Sequence, residues 1–375
     1  MSGGYRRYLL NILPRLAGHG QVESILCASP AGLGVSGWFS ALPKVGFVDC
    51  EPFRVGRHRP DSRLKGILRD FHPQVLFMPV ERMVEFEGIP SVVMLQNMSP
   101  LVPSGEWGLK GRLRRVAQYF ETRLAVRKST RVIAISRFVK DYLVDRLDVP
   151  PDKIDIIYYG SNLPQGEVPI PSAFGQGQPK SFLFTAGSAE PYRGWEDLMG
   201  ALKELASRHV EPVRLVIGGV AQGDAAPYAV RMRHLAEECG VGSSICWAGH
   251  LSRAEMSWCY ANCLAFVMAS RVESFGFVSL EALAHGAACI AADNPPSPEI
   301  FGDQAVYYKP RDSQSLADAI GIVLGRSVAE RGEMARRAME RAGRFSWDVA
   351  AERTVETLAR AICVGDGSRD HRIPG

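Results

Sequence analysis

Two runs of short apolar segments alternating with helical patterns, one on each side of a proline- and glycine-rich stretch, constrain this chain most. In the first run Val22-Glu-Ser-Ile-Leu-Cys27, Gln74-Val-Leu-Phe-Met78, Ser91-Val-Val-Met-Leu95, Arg131-Val-Ile-Ala-Ile135 and Lys153-Ile-Asp-Ile-Ile-Tyr-Tyr159 read as strands. Leu64 to Phe71 reads as a helix ending before His72-Pro73, and Ser136 caps another through Leu147, with Asp141 in its first turns. The second run has strands at 182–185, 214–217, 244–247, 264–267, 288–291 and 305–308, with helices between them and a final helix from Trp347 to about Ile362. Strands alternating with helices imply βαβ units and parallel sheets.

The divider carries Pro164, Pro169, Pro171 and Pro179 with Gly160, Gly166, Gly175 and Gly177, the composition of a linker. With 375 residues, each side is long enough to bury its own core. The expected architecture is therefore α/β, with two Rossmann-like domains whose parallel sheets face each other across a cleft. Residues 1–160 form the first, 161–180 the linker and 181–346 the second. A helix over 347–363 is expected to cross back to the first domain, followed by a frayed polar tail, 364–375. Ligands in such sheets bind at the carboxyl ends of strands, which places the expected site in the interdomain cleft.

Composition excludes several classes. Apolar residues at 46% and charged residues at 22% rule out a disordered or fibrous chain. The longest apolar runs, such as 263–269, fall far short of the roughly 20 residues of a membrane span. Met1-Ser-Gly-Gly-Tyr-Arg-Arg is not followed by a signal-peptide apolar region, so the cytoplasm is the expected compartment. Cysteines 27, 50, 239, 246, 259, 263, 289 and 363 form no CxxC pair and read as free, mostly buried thiols. The eight histidines show no HExxH or HxH pattern, so no metal site is expected. P-loop, kinase and GxSxG signatures are missing, and Ala186-Gly187 and Ile217-Gly218-Gly219 are too sparse for a dinucleotide GxGxxG.

Charge is uneven. Residues 1–160 hold 23 Lys and Arg against 15 Asp and Glu, a net of +8, whereas the remainder is net −4. An anionic partner on the first half follows. The densest part, 106–131, carries Lys110, Arg112, Arg114, Arg115, Arg123, Arg127, Lys128 and Arg131 among helically spaced Leu109, Leu113, Val116, Tyr119, Phe120 and Leu124. It reads either as a basic amphipathic helix on an anionic membrane surface, making the protein peripheral on the inner face, or as a solvated helix packed through its apolar stripe. Nucleic acid is not an expected partner, because aromatic stacking platforms are missing.

The most informative stretch is Ser270-Arg-Val-Glu273-Ser-Phe-Gly276-Phe-Val-Ser-Leu-Glu281-Ala-Leu-Ala-His-Gly286. A Ser/Gly turn leading into a helix N-terminus is an anion site suited to a diphosphate, and Gly276 would admit close backbone approach. Glu281, one turn into the helix, can accept hydrogen bonds from a diol such as ribose, and Glu273 from a sugar ring. Both can equally be surface acids favoured by the helix dipole.

The segment Glu273-Ser-Phe-Gly276, Glu281-Ala-Leu-Ala-His-Gly286, strand 288–291 and Pro298-Glu-Ile-Phe-Gly302 resembles the Glu-x7-Glu element of the family 4 glycosyltransferases of GT-B fold. The likeness in element order covers most of 1–360 and is strongest over 181–310. It implies that Glu281 binds the nucleotide ribose, that Glu273 contacts donor-sugar hydroxyls, and that the amides of Ser274, Phe275 and Gly276 help hold the donor. In Gly187-Ser-Ala-Glu-Pro-Tyr-Arg193-Gly194 the family's Lys position holds Arg193, whose fork can pair with phosphate oxygens, while its Arg position holds Ser188.

Gln96-Asn97, after the strand ending at Leu95, stands where many members place a donor-contacting His; an amide can donate to a hydroxyl or phosphate but cannot act as a general base. It can also be a plain strand-end turn amide. Ser2-Gly3-Gly4-Tyr5 resembles the family's glycine-rich loop after strand one, a strand not in this sequence, so that either the true start lies upstream or the sheet lacks a central strand. The loop Ala248 to Leu251 would meet the base through backbone groups.

The resemblance implies an enzyme moving a sugar from a nucleotide diphosphate sugar to an acceptor hydroxyl with retention, without a metal or resident cofactor. The basic first domain suggests a glycan or lipid-linked acceptor in envelope or exported polysaccharide or lipopolysaccharide synthesis. Two other readings stay open: a nucleotide-sugar epimerase with acid and base carboxylates in the cleft, and a non-catalytic binding protein, which Ser188, Gln96 and the missing first strand would favour.

Overall fold

The computed structural model describes all residues except 1–2, 53–55, 57, 103–108, 163–168, 175–180, 209–212, 220–226 and 370–375. It divides into two compact units, one of Met1–Leu101, Trp107–Gly160 and Ser346–Gly375, the other of Val102–Glu106 and Ser161–Phe345.

The first unit runs α1 (Gly3–Gly18), β1 (Ile25–Pro30), β2 (Val45–Cys50), α2 (Ser62–Phe71), β3 (Leu76–Met78), β4 (Ser91–Leu95), α3 (Leu109–Lys128), β5 (Arg131–Ala134), α4 (Arg137–Leu147) and β6 (Ile154–Ile156). Local chemistry sets its helix starts: Asp61 accepts from the Leu64 N–H at the head of α2, and Ser136 from the Val139 N–H at the head of α4. All strand pairs are parallel, in two sheets: β1–β2, and β3–β4–β5–β6. β4 is buried throughout, as an apolar run covered on both faces should be. Leu64 and Leu68 of α2 pack with Leu26 and Ala28 of β1, Val48 of β2 and Leu76 of β3, so one helix covers strands of both sheets. β1 and β3 are only half-buried.

The second unit runs β7 (Phe182–Ala186), α5 (Trp195–Ser207), β8 (Arg214–Gly218), α6 (Pro227–Glu238), β9 (Ile245–Gly249), α7 (Arg253–Asn262), β10 (Ala265–Met268), α8 (Phe277–Ala284), β11 (Cys289–Ala292), α9 (Ser297–Phe301), β12 (Ala305–Tyr308), α10 (Ser313–Leu324) and α11 (Val328–Gly343). Its six parallel strands are ordered β12-β11-β10-β7-β8-β9. Leu183, Ile217, Val267 and Ile290 from the strands meet Trp195, Leu198 and Leu202 of α5 and Leu316 and Ile320 of α10 in one core. The last helix, α12 (Trp347–Arg369), belongs to the first unit and packs on α1.

Several local expectations change. Gly3 and Gly4 lie in the first turn of α1 rather than in a loop before it. β1 sits three residues later than its sequence pattern, and β2 went unrecognised because Gly46 and Asp49 break its apolar alternation. β6 ends at Ile156, where Ile157 makes its last backbone bond to Ala134. α12 continues through residues expected to fray, no proline interrupting it before Pro374. Within the expected linker, Ser172–Phe174 forms a 3-10 turn that buries Phe174 against Phe182 and Trp258. That segment is part of the second unit, while 163–168 and 175–180 lie outside the described residues.

All eight cysteines are free thiols, but only Cys50, Cys259 and Cys289 are fully buried, and Cys363 is exposed. Among the described residues no helix is long and apolar enough to cross a membrane.

Candidate functional site

In the second unit the chain adds β7, β8 and β9 in one direction, then returns to place β10 on the other side of β7. This reversal is the switch point of an open parallel sheet, where loops leaving the carboxyl ends of two neighbouring strands diverge and leave room for a ligand. The two loops are 187–194 and 269–276, and they carry Arg193 and Glu273.

Arg193 Nη1 donates to Glu273 Oε1 at 2.5 Å and to Ser270 Oγ at 3.3 Å, with the two charged side chains only 14% and 17% exposed. Its Nε–H is buried with no hydrogen-bond partner. Burial works against the Arg193 charge, but Glu273 and Tyr192 together outweigh it and the net shift is upward, so the guanidinium stays ionised. The guanidinium lies over Gly187, where a Cβ would come within 2.5 Å of Nε, and Gly187 has φ +149°. Only glycine fits beneath this arginine.

A second layer fixes these loops. The Arg271 N–H donates to the Tyr192 carbonyl at 2.7 Å, and Arg271 Nη2 reaches Asp197 at 3.1 Å and Glu196 at 3.4 Å. Asp197, buried at the start of α5, also accepts from Tyr308 Oη and the Arg311 N–H. Its carboxyl is pushed up by burial, with Arg271 pulling the other way. Asn294, after β11, donates to the Ser270 carbonyl at 3.1 Å. Loops from three neighbouring strands are thereby tied around Arg193. Arg271 and Asp197 were not singled out from sequence, because an Arg in a loop and an Asp in a first helical turn both read as solvated.

Gly276 stands at the head of α8 with φ +89°, so its glycine is required by backbone conformation; a Cβ there would meet Ser279 Oγ at 3.0 Å. Phe275 is buried against Phe277 and Phe345, which puts Ser274 through Gly276 on a rigid turn beside the positive end of α8. Glu281, half-buried one turn into α8, accepts from Tyr260 Oη at 3.2 Å. Ser188 Oγ lies 3.4 Å from Tyr192 Oη. Ala248 and Gly249 end β9 rather than forming a loop, and the Gly249 carbonyl accepts from the Gly219 N–H at 2.7 Å.

The first unit contributes a different arrangement. Gln96 is buried with both amide ends engaged: Nε2 donates to the Pro79 carbonyl at 2.7 Å and Oε1 accepts from Tyr159 Oη at 2.6 Å. Pro79 takes one of the two Nε2 hydrogens and Tyr159 holds the amide oxygen, which fixes the orientation of the Gln96 side chain. Asn97 Oδ1 accepts from the Ser99 N–H. The group that organises this turn is Glu81, whose Oε1 accepts from the N–H groups of Gln96 (2.7 Å) and Asn97 (2.6 Å), and whose Oε2 accepts from Tyr5 Oη (2.6 Å). Burial raises the Glu81 carboxyl, opposed by these three donors. Glu81 was missed from sequence, although its place three residues past β3, at a carboxyl end, was a usable signal. Gly3 and Gly4 start the helix that carries Tyr5.

Comparison with known proteins agrees with this geometry. Residues 170–344 match the family model "Glycosyl transferases group 1", and residues 2–163 match "Glycosyltransferase Family 4". A D-inositol 3-phosphate glycosyltransferase of Mycobacteroides abscessus is 26% identical over 66% of this chain and 54% of its own length. The serotype-specific mannosyltransferase WbdA of Escherichia coli is 26% identical over 49% of this chain and 22% of its own. The chain thus spans little more than half the length of the first curated relative it matches. The crystal structure of Anabaena Alr3699/HepE in complex with UDP-glucose superposes with a TM-score of 0.70, covering 96% of this chain and 97% of that one at 18% identity. With both halves matched by adjoining family models and two parallel-sheet Rossmann-like units in place, the chain belongs to the family 4 glycosyltransferases of GT-B fold.

Proposed function

We propose that the protein transfers a sugar from a nucleotide diphosphate sugar to an acceptor hydroxyl, with retention at the anomeric carbon. The observation that carries this is Arg193, a half-buried cation at the switch point with a buried, unpartnered Nε–H, on the loop facing the turn that leads into α8. A buried N–H without an acceptor is costly, and a diphosphate oxygen would supply the missing partner. Relatives whose names denote glycosyl and mannosyl transfer, and a fold neighbour holding UDP-glucose, support the donor class.

In this reading Glu273 orients the sugar and Glu281 the ribose. As the bond from the anomeric carbon to the diphosphate oxygen breaks, Arg193 and the α8 dipole stabilise the charge growing on the leaving group, so no metal is required. Gln96 cannot take a proton as a general base. The acceptor hydroxyl instead passes its proton to the departing phosphate oxygen on the same face, which gives retention. The excess basic charge of the first 160 residues favours a glycan or lipid-linked acceptor of the cell envelope, met on the cytoplasmic side.

Thermal stability against UDP, GDP, ADP and dTDP, with Glu281→Ala beside the parent, tests the donor site. At 100 times its dissociation constant a ligand adds about 2.7 kcal/mol. One nucleotide stabilising the parent and not the variant is the expected result; no response from a folded parent overturns it. Ser188 and the internally engaged Gln96 favour one other reading, a binding protein that holds the donor without transferring it. Nucleotide binding with no transfer to any offered glycan or lipid-linked acceptor would select that reading.

A further inference from the structure

α3 exposes an apolar face. Leu113, Val116 and Phe120 are 64%, 53% and 59% exposed, and at about 100° per residue they fall within roughly 60° of arc on the helix. The other exposed large apolar side chains among the described residues are scattered, with no two at one-turn spacing on the same helix. Burial of the opposite face is complete at Thr122, Ala125 and Val126, which pack into the first unit, so the apolar stripe that anchors α3 is not the one left outside.

The charges on α3 are divided in the same way. Its one acidic residue, Glu121, is turned inward, accepting from the Gly56 N–H at 2.8 Å and pairing with Arg82 at 3.4 Å. Arg112, Arg114, Arg127 and Lys128 are exposed and Arg123 is half-exposed. Arg127 and Lys128 pair with Asp148 and Glu85, whereas Arg114 and Arg123 form no ion pair among the described residues. The outer face of α3 thus combines three apolar side chains with cations only. Water alone gives no reason to expose the first group, and an apolar protein surface gives none to surround it with arginines. A layer that is apolar a few ångströms down and anionic at its edge suits both.

We propose that α3 seats on an anionic lipid bilayer, with Leu113, Val116 and Phe120 entering the boundary between headgroups and acyl chains and Arg112, Arg114 and Arg123 meeting lipid phosphates. The inference rests on α3 alone and is independent of the donor-site reading.

The test is sedimentation of the full chain with phosphatidylcholine vesicles, with and without phosphatidylglycerol, at low and high salt. Three proteins are compared: the parent, the triple variant Leu113→Ser, Val116→Ser and Phe120→Ser, and the double variant Arg114→Ser and Arg123→Ser. The parent is expected on anionic vesicles and not on neutral ones. At about 1 kcal/mol per basic residue near the surface, the double variant should partition about thirtyfold less. The triple variant should lose the fraction of binding that survives high salt. Both variants should melt with the parent and keep any nucleotide-induced stabilisation, which separates loss of membrane contact from loss of fold or of the donor site. Equal binding to neutral and anionic vesicles, no binding to either, or undiminished binding by the triple variant overturns the proposal. A lipid-free dimer of the parent that the triple variant abolishes would also overturn it, because a second copy would then cover the face.

Discussion

Arg193 Nη1 and Glu273 Oε1 stand 2.5 Å apart across 80 residues of sequence, while the Nε–H of the same guanidinium, buried over Gly187, has no acceptor. The pair neutralises the arginine without saturating it. In the proposed donor site a ligand phosphate would engage the cation without first breaking its bond to the carboxylate.

Replacing Arg193 by Lys keeps the charge but loses the planar fork. Loss of a charge-assisted hydrogen bond is worth about 1.5–3 kcal/mol, so nucleotide affinity should fall by roughly 10- to 100-fold, read by isothermal titration. Arg193→Met should cost more and also lower the melting temperature, since Glu273 is left partly buried without its partner. Unchanged affinity in both variants would remove Arg193 from the diphosphate site.

Gly187→Ala forces a Cβ into the guanidinium and places alanine at φ +149°. The expected cost is about 1–3 kcal/mol in denaturant unfolding, together with loss of nucleotide-induced stabilisation because Arg193 must move. An alanine variant that binds nucleotide like the parent would show that Arg193 has slack the structure does not suggest.

Glu81 offers a pH readout. Its folded carboxyl is raised above the ordinary 4.5 by burial, so the folded state favours the protonated form. Its contribution is fully present below the unfolded value and is lost as pH rises through the folded one. Denaturant midpoints from pH 4 upward should therefore decline in the parent relative to Glu81→Gln, which does not titrate. A variant that tracks the parent at every pH would place the titration elsewhere. Glu81→Leu leaves the Gln96 and Asn97 N–H groups without their acceptor and should cost about 2–4 kcal/mol.

The thiols should react in an order set by burial. Burial pushes Cys27 up to about 11 and Cys259 up to about 12, so neither supplies much thiolate near pH 8. Cys363 is exposed and should alkylate first with iodoacetamide, with Cys259 and Cys289 modified only on unfolding. Peptide mass analysis over time gives the order, and early labelling of Cys259 would contradict the packing of α7.

If Arg193 and α8 carry the leaving-group charge, transfer should survive EDTA and gain less than about twofold from added magnesium. A large magnesium dependence would assign that charge stabilisation to a metal ion instead.

Much of this was legible in the chain itself. Alternating strand and helix patterns, the cap Ser136, and the Gly276–Glu281 segment depend on neighbours within a few residues, so sequence carries them directly. The return that sets β10 beside β7 does not, because it is decided by how two faces of apolar strands are covered once all helices compete for them. That return brings Glu273 to Arg193, and a strand pattern records which residues are buried but not which strand lies alongside. Gln96 shows the same limit: a strand-end amide was visible, but its engagement by Pro79 and Tyr159, and the command of its turn by Glu81, needed residues 17, 63 and 15 positions away to meet in space. Local hydrogen-bond and hydrophobic preferences act along the chain; the carboxylates and cations of the site acquire their roles only when burial removes water as their alternative partner.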